Sequence, residues 1–176
     1  MLIRFALLLL VVTGSACAGS GRPSASTPDA PAPVDAREAW ERLSALLPGS
    51  WIATTPDGGQ VAIAFRPISN GSALAESFGP PGHETMTIYH PDGVALQLTH
   101  YCGQGNQATL RATSVDEHRV VFTFASVTNA GPEQGVMAEL TYELDPSGAR
   151  ALTRVESYRL PDGSTEQTRM TMRPAP

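Results

Sequence analysis

The spacing of apolar residues along this chain changes period once. Ala36, Ala39, Trp40, Leu43, Leu46 and Leu47 recur at helical intervals, which predicts one amphipathic helix over residues 36–47. Asp35 stands at the N-cap, Glu38 follows three residues later as in a capping box, and Pro48-Gly49 ends the helix. From residue 50 onward the period is two, in short runs separated by turn signals. Pro-Asp-Gly occurs at 56–58, 91–93 and 161–163, with Pro146-Ser147-Gly148 as a variant. Proline presets φ and glycine accepts positive φ, so each marks a hairpin turn. The runs predict ten strands, at 50–55, 60–66, 73–78, 84–90, 94–102, 107–113, 119–127, 136–144, 150–159 and 164–173. They leave no room for crossover helices. The expected fold class is therefore all-β: a single up-and-down antiparallel barrel of about ten strands, preceded by one short helix and closed so that no strand edge is left unpaired.

In such a meander alternate connections lie at the same end. One end would carry 67–72, 91–93, 114–118 and 146–149, mostly tight, together with the helix. The other would carry 55–59, 79–83, 103–107, 128–135 and 160–163, which include the longer glycine-rich loops. The second end is expected to be the mouth and the helix end the floor. Val61, Ile63, Phe65, Val120, Phe122, Phe124, Leu140 and Met170 are expected to form wall and core.

The first 34 residues have a different character. Arg4 is the only charge ahead of an apolar run, Leu7 to Val12, which is too short for a permanent membrane span. Gly14-Ser15-Ala16 and then Cys17 follow. This segment resembles a bacterial lipoprotein signal, with 1–16 removed and Cys17 lipidated. Residues 17–34 are rich in Ser, Ala and Pro and bury nothing, so they read as a flexible tether to a domain over 35–176. The resemblance implies export and a lipid anchor in the cell envelope. Because Ala18 is not aspartate, it implies the outer membrane, facing the periplasm, in a two-membrane bacterium.

Composition narrows the chemistry. The net charge is −5, and the twelve basic residues are all arginine, which excludes Schiff-base and P-loop lysine chemistry. The arginines are scattered, so nucleic acid is not an expected partner. There are two cysteines, Cys17 and Cys102; with Cys17 lipidated, Cys102 has no intramolecular partner. No nucleophile elbow is present, and Gly103-x-Gly105 lacks the helix a dinucleotide loop requires.

The helix followed by Leu46-Leu47-Pro48-Gly49-Ser50-Trp51 resembles the opening of calycin barrels, in which Gly-x-Trp begins the first strand. The likeness covers 36–176 in architecture, and the strand count is nearer to nitrobindin-like and fatty-acid-binding barrels than to eight-stranded lipocalins. It implies that Trp51 packs beneath an arginine of the last strand, Arg169 or Arg173, through a cation–π contact. The stretch from His100 to Gln107 is also similar to bacterial exported proteins of uncharacterised family.

Candidate chemistry gathers at the predicted mouth. A three-residue loop at 91–93 pairs His90 with Val94, Ile88 with Leu96, and Met86 with Leu98. The same register sets Glu84 opposite His100, with Cys102 further along that face and Asn106 and Gln107 across the loop. His90 shares the face at the floor, and Tyr101 points outward. A carboxylate beside an imidazole fixes its tautomer and raises its basicity. Three readings of Glu84, His100 and Cys102 stand open: a satisfied polar pair with a packed thiol, a ligand, metal or haem contact, and a Cys–His nucleophile. On strand 150–159, if Leu152 points in, so do Arg154, Glu156 and Tyr158, while the opposite parity buries Ala151, Thr153 and Val155 instead; Glu76, between Leu74 and Phe78, is a further candidate for an inward carboxylate. Arg154 with Tyr158 resembles the arginine and tyrosine that hold a carboxylate in fatty-acid-binding barrels, while an Arg154–Glu156 internal ion pair is the alternative.

The function expected from this sequence is non-catalytic binding of a small, largely apolar ligand in a barrel cavity, with no cofactor and no metal. A haem-binding, metal-binding or enzyme-like barrel using Glu84, His100 and Cys102 is one alternative. A protein-interaction module built on the long loops is the other.

Overall fold

The computed structural model describes residues 35–145, 147 and 150–176; the predicted signal, Cys17 and the tether lie outside them. A helix, α1 (Ala36–Leu46), precedes ten strands: β1 (Gly49–Thr54), β2 (Gln60–Ile68), β3 (Ala73–Phe78), β4 (Thr85–Asp92), β5 (Ala95–Tyr101), β6 (Gln107–Val115), β7 (Arg119–Thr128), β8 (Val136–Leu144), β9 (Leu152–Arg159) and β10 (Thr165–Pro174). Each strand pairs antiparallel with its neighbours in sequence. β1 also pairs with β10, Trp51 opposite Pro174 and Thr54 opposite Thr171, so the meander closes into a barrel.

The helix forms as its sequence dictates. Asp35 Oδ1 accepts from the backbone N–H groups of Arg37 and Glu38 at 2.9 and 3.2 Å, satisfying two of the unpaired donors of the first turn. Glu38 does not reach back to complete the capping box; its carboxylate pairs with Arg42 one turn on. Ala36, Ala39, Leu43 and Leu47 are buried, with Trp40 and Leu46 partly so. Arg42 Nη1 donates to the Asp116 carbonyl in the β6–β7 connection at 2.5 Å, which ties the helix to the end predicted as the floor.

The chain enters the barrel through Gly49, whose φ of +121° is open to glycine and strained for other residues. Trp51 follows, 1% exposed, with its indole N–H donating to the Leu47 carbonyl at 2.7 Å. The cation over its ring is Arg150, 5.1 Å from the ring centroid, and Arg150 Nη2 also donates to the Pro48 carbonyl. Neither arginine proposed from β10 takes that place. Arg169 turns outward to pair with Glu143, and Arg173 is exposed. The connection between β8 and β9 lies at the same end as the start of β1, so it reaches Trp51.

One register differs from the sequence expectation. The β4–β5 turn uses two residues, Gly93 and Val94, with Gly93 at φ +60°, and Asp92 pairs with Ala95. Pro91 and Asp92 thus belong to the strand rather than the loop. Thr87, not Glu84, lies opposite His100, a slip of three residues. An odd slip turns every β4 side chain to the other face. Thr87 and Tyr89 point inward and are fully buried, while Met86 is 42% exposed beside the outward Tyr101. His90 is likewise outward, against Gln97. The β5 parity holds: Leu96, Leu98 and His100 face the core.

This register gives a mutational expectation. Met86→Lys should change stability by no more than about 0.5 kcal/mol, as exposed substitutions do. Thr87→Lys should cost about 3 kcal/mol or more, because it buries an unpaired ammonium. Urea unfolding of both variants checks the assignment; the reverse order would restore the three-residue turn.

Candidate functional site

The lower half of the barrel is apolar. Leu43 of α1 and Leu47, the residue that caps it, pack with Trp51, Leu74, Leu96, Val120 and Leu152, all 2% exposed or less. Burial of each such side chain contributes about 1.5–3 kcal/mol. Above this layer the inward positions become polar. On β9 they are Arg154, Glu156 and Tyr158, in the parity expected from Leu152.

Arg154 lies in the barrel interior at 1% exposure. Glu76, inward from β3 and also 1% exposed, faces its guanidinium: Nη2 lies 2.9 Å from Oε1, and Nη1 donates to Oε2 at 2.9 Å. Arg154 Nε donates to Glu156 Oε1 at 2.5 Å. Tyr142 of β8 accepts from Nη1 at 2.7 Å and donates to Glu76 Oε2 at 3.1 Å. Tyr89 of β4 donates to the same oxygen, and the two phenol oxygens are 2.7 Å apart. Desolvation opposes the charge on Arg154, but Glu76, Tyr142 and Glu156 outweigh it and hold the guanidinium well above its ordinary pKa. Burial, reinforced by Glu76, pushes Tyr89 far above the usual phenol range; Tyr142 is also raised chiefly by burial, although Arg154 opposes it.

A second polar layer lies nearer the mouth. His100, 3% exposed, has Thr87 Oγ1 3.1 Å from Nδ1 and the Tyr158 hydroxyl 3.5 Å from Nε2. Burial lowers the His100 pKa below its ordinary value; Glu76 and Glu156 pull the other way and Arg154 assists the lowering. A neutral imidazole donates from one nitrogen and accepts at the other, and either hydroxyl can complement it. Tyr158 is raised by its burial and then by Glu156.

The mouth is bridged by two loops. Gln134 Nε2 donates to the Gln104 carbonyl at 2.5 Å, and Gly135 N–H donates to Gln104 Oε1 at 3.0 Å. Asn106 Nδ2 donates to the Gly135 carbonyl at 3.1 Å, and Asn129 Nδ2 to the Gly105 carbonyl at 2.7 Å. These bonds replace the sheet ladder where β7 and β8 part company, since their pairing ends at Thr123 and Glu139. A pocket of about 270 Å³ remains beside this bridge. It is lined by Tyr158, Glu166 and Thr168 from the inward faces of β9 and β10, by Leu160, and by Cys102, Gln104 and Gly135 from the loops. Larger grooves, of about 540 and 550 Å³, run over exposed outer-face and loop residues and contain none of these inward groups.

The residues singled out in the sequence are therefore divided. His100, Cys102 and Asn106 share the mouth side of the interior, with Arg154 and Tyr158 across from them. Cys102 is half-buried in the pocket wall, its sulfur accepting from the Gln104 N–H at 3.5 Å. Glu84 is not among them. The register slip leaves it exposed, accepting from the Gly82 N–H at 2.7 Å. Gln107 faces outward and secures the loop through the Gly105 carbonyl and Thr128. Among the described residues no three His, Cys, Asp or Glu side chains converge as a metal site. Tyr142, Tyr89 and Glu166 were missed. The β8 and β10 alternation, carried on from Leu140 and Met170, would have pointed Tyr142 and Glu166 inward; Tyr89 was lost with the β4 register. Comparisons with protein-family models and with curated proteins find no match to this chain.

Arg154→Met should cost about 3–5 kcal/mol in urea unfolding, because it strands Glu76 and Glu156 without their cation. Replacing all three, as Arg154→Met with Glu76→Leu and Glu156→Leu, should recover most of that loss. The lowered His100 pKa has a defined sign as well. Below the ordinary value near 6.5 the unfolded chain binds this proton and the folded chain resists it. The His100 contribution to stability is complete above that value and declines as pH falls through the folded pKa. His100→Gln should remove that share of the slope, measured as the difference between variant and parent across mildly acidic pH.

Proposed function

We propose that this chain is a calycin-like, lipid-anchored envelope protein that binds a small molecule at the mouth of its barrel without catalysing a reaction. The observation that carries the reading is the pocket of about 270 Å³ lined by inward Tyr158, Glu166 and Thr168. The pocket joins the Leu160 side chain and the Tyr158 ring to several converging polar groups, which together can orient a small molecule. Its size suits a ligand smaller than a fatty acid. The deeper interior offers a long ligand little room, since the rings of Phe65, Tyr89, Phe122 and Tyr142 pack against one another there. Nor is Arg154 free to take a ligand carboxylate, because Glu76 and Glu156 already occupy it. The ligand is thus expected to sit over Tyr158 and Leu160 with its apolar part and to meet the loop edge with its polar part. Anchoring through Cys17 and export rest on the resemblance of residues 1–17 to a lipoprotein signal.

The filled interior also favours a second reading, in which the bridged loops 102–106 and 129–135 form a protein-binding rim. Native mass spectrometry of the full chain extracted from membranes separates the two. A low-mass adduct that disappears in Thr168→Trp, which fills the pocket, supports small-molecule binding. Its absence from the parent protein, with a stoichiometric protein partner retained, overturns it in favour of the rim. In the same preparation Cys17→Ala should move the chain from the membrane fraction to the soluble one; membrane retention would overturn the anchor.

A further inference from the structure

We infer that protonation of His100 reverses the hydrogen bond at Tyr158, so that the mouth pocket holds an uncharged hydrogen-bond acceptor more tightly in mildly acidic than in neutral solution. This deepens the binding reading above and rests on it. His100 is 3% exposed, and each of its ring nitrogens faces one hydroxyl: Thr87 Oγ1 lies 3.1 Å from Nδ1 and the Tyr158 oxygen 3.5 Å from Nε2. A neutral imidazole has one donor and one acceptor, so one hydroxyl gives a proton to the ring and the other receives one. A phenol is a stronger donor than an aliphatic hydroxyl, which favours Tyr158 donating to Nε2 and Thr87 accepting from Nδ1–H. An imidazolium has two donors and no acceptor. Both hydroxyls must then accept, and the Tyr158 proton has to turn elsewhere. Among the described residues Tyr158 makes no other hydrogen bond, and it lines the pocket beside Leu160 and Thr168. Glu156, the charge acting most strongly on Tyr158, is held by Arg154 Nε at 2.5 Å, so the direction left to the phenol proton is the pocket.

The groups around His100 decide whether it can take up the proton. On its two neighbouring strands it faces Thr87 of β4 and Ala108 of β6, neither of which titrates. From β3 Glu76 acts on it, and from β9 Arg154 and Glu156, with Tyr158 at its Nε2. Tyr89 of β4 and Tyr142 of β8 belong to the Arg154 network below, Cys102 follows two residues on, and Glu166 of β10 stands opposite Tyr158. Burial opposes the imidazolium and Arg154 adds to that, while Glu76 and Glu156 favour it. Because that network places two carboxylates on one guanidinium, a second positive charge balances it rather than overloading it. The balance still lies on the side of lowering, so the proton arrives below the ordinary histidine value near 6.5 and not above it. At neutral pH the Tyr158 proton is engaged by the ring; as pH falls through the folded His100 midpoint it is released to an occupant of the pocket.

NMR of the purified full chain tests this with two uncharged rings of the same size, cyclopentanone as the acceptor and cyclopentene as its counterpart without one. The His100 ring resonances follow its protonation, and the amide shifts of the pocket residues report binding. Cyclopentanone affinity is expected to rise about two- to tenfold as His100 takes up its proton, the scale of one hydrogen bond, while cyclopentene affinity stays flat. By linkage, saturating cyclopentanone should raise the His100 midpoint by the same factor. His100→Gln and Tyr158→Phe should each abolish the pH dependence while cyclopentene still binds. Cyclopentanone binding that ignores pH while His100 titrates, or a His100 that stays neutral down to acid unfolding, overturns the switch and leaves small-molecule binding standing. Binding of neither ring at any pH overturns both.

Discussion

A single guanidinium organises the upper half of this barrel. Arg154 has left water for a closed interior, and a charge there is tolerable only when paired and hydrogen-bonded. Glu76 reaches it from β3 across the lumen, Tyr142 is its direct neighbour on β8 and Glu156 lies on its own strand, with Tyr89 on β4 completing the network. Barrel closure is what brings β3 and β9 face to face, 78 residues apart in sequence. Conversely, the network penalises any shift in the β3, β4, β8 or β9 register by an odd number of residues, since that would expose one partner and bury the others unpaired. The apolar floor sets how much stability the fold has; the Arg154 network determines which faces of these strands look inward.

The same constraint explains where sequence reasoning succeeded and where it failed. Ten strands and a closed meander were legible because alternation of period two and Pro-Asp-Gly turns are local signals. Inward Arg154 and Glu156 match one of two β9 parities that the sequence left open, the one in phase with Leu152, and Glu76 is in phase with Leu74. The β4–β5 register did not. Both faces of β4 look buriable, Met86 and Ile88 on one and Thr87 and Tyr89 on the other, and hydrophobicity alone prefers Met and Ile inside. The Thr87 and Tyr89 face points inward with each hydroxyl partnered, Thr87 with His100 and Tyr89 with Glu76. Those partners lie on β5 and β3, and a hairpin considered alone contains only one of them. The consequence fell on the candidate site: Glu84 left it, and the imidazole that was expected beside a carboxylate sits between two hydroxyls instead.

Arg150 over Trp51 teaches a related lesson. An arginine above the first-strand tryptophan was expected, and one is present, but it comes from the β8–β9 connection rather than from β10. What the tryptophan requires is a cation at the floor rim, and any element that ends there can deliver it. Residue type was legible; the element supplying it depended on how the floor loops pack.

The filled lumen changes what an interior polar cluster can mean. In an open barrel Arg154 and Tyr158 would be free to take a ligand's carboxylate. Here Arg154 is occupied by two carboxylates, and Tyr158 links His100 and Thr87 on one side to the pocket on the other. Burial lowers the His100 pKa and so disfavours the imidazolium beside Tyr158. The carboxylate that lines the pocket itself is Glu166. Neutralising Arg154 places two carboxylates, Glu76 and Glu156, on one guanidinium, so the interior network carries one carboxylate in excess. A change that frees Arg154 would leave Glu76 and Glu156 without their cation and so loosen the barrel beneath the mouth.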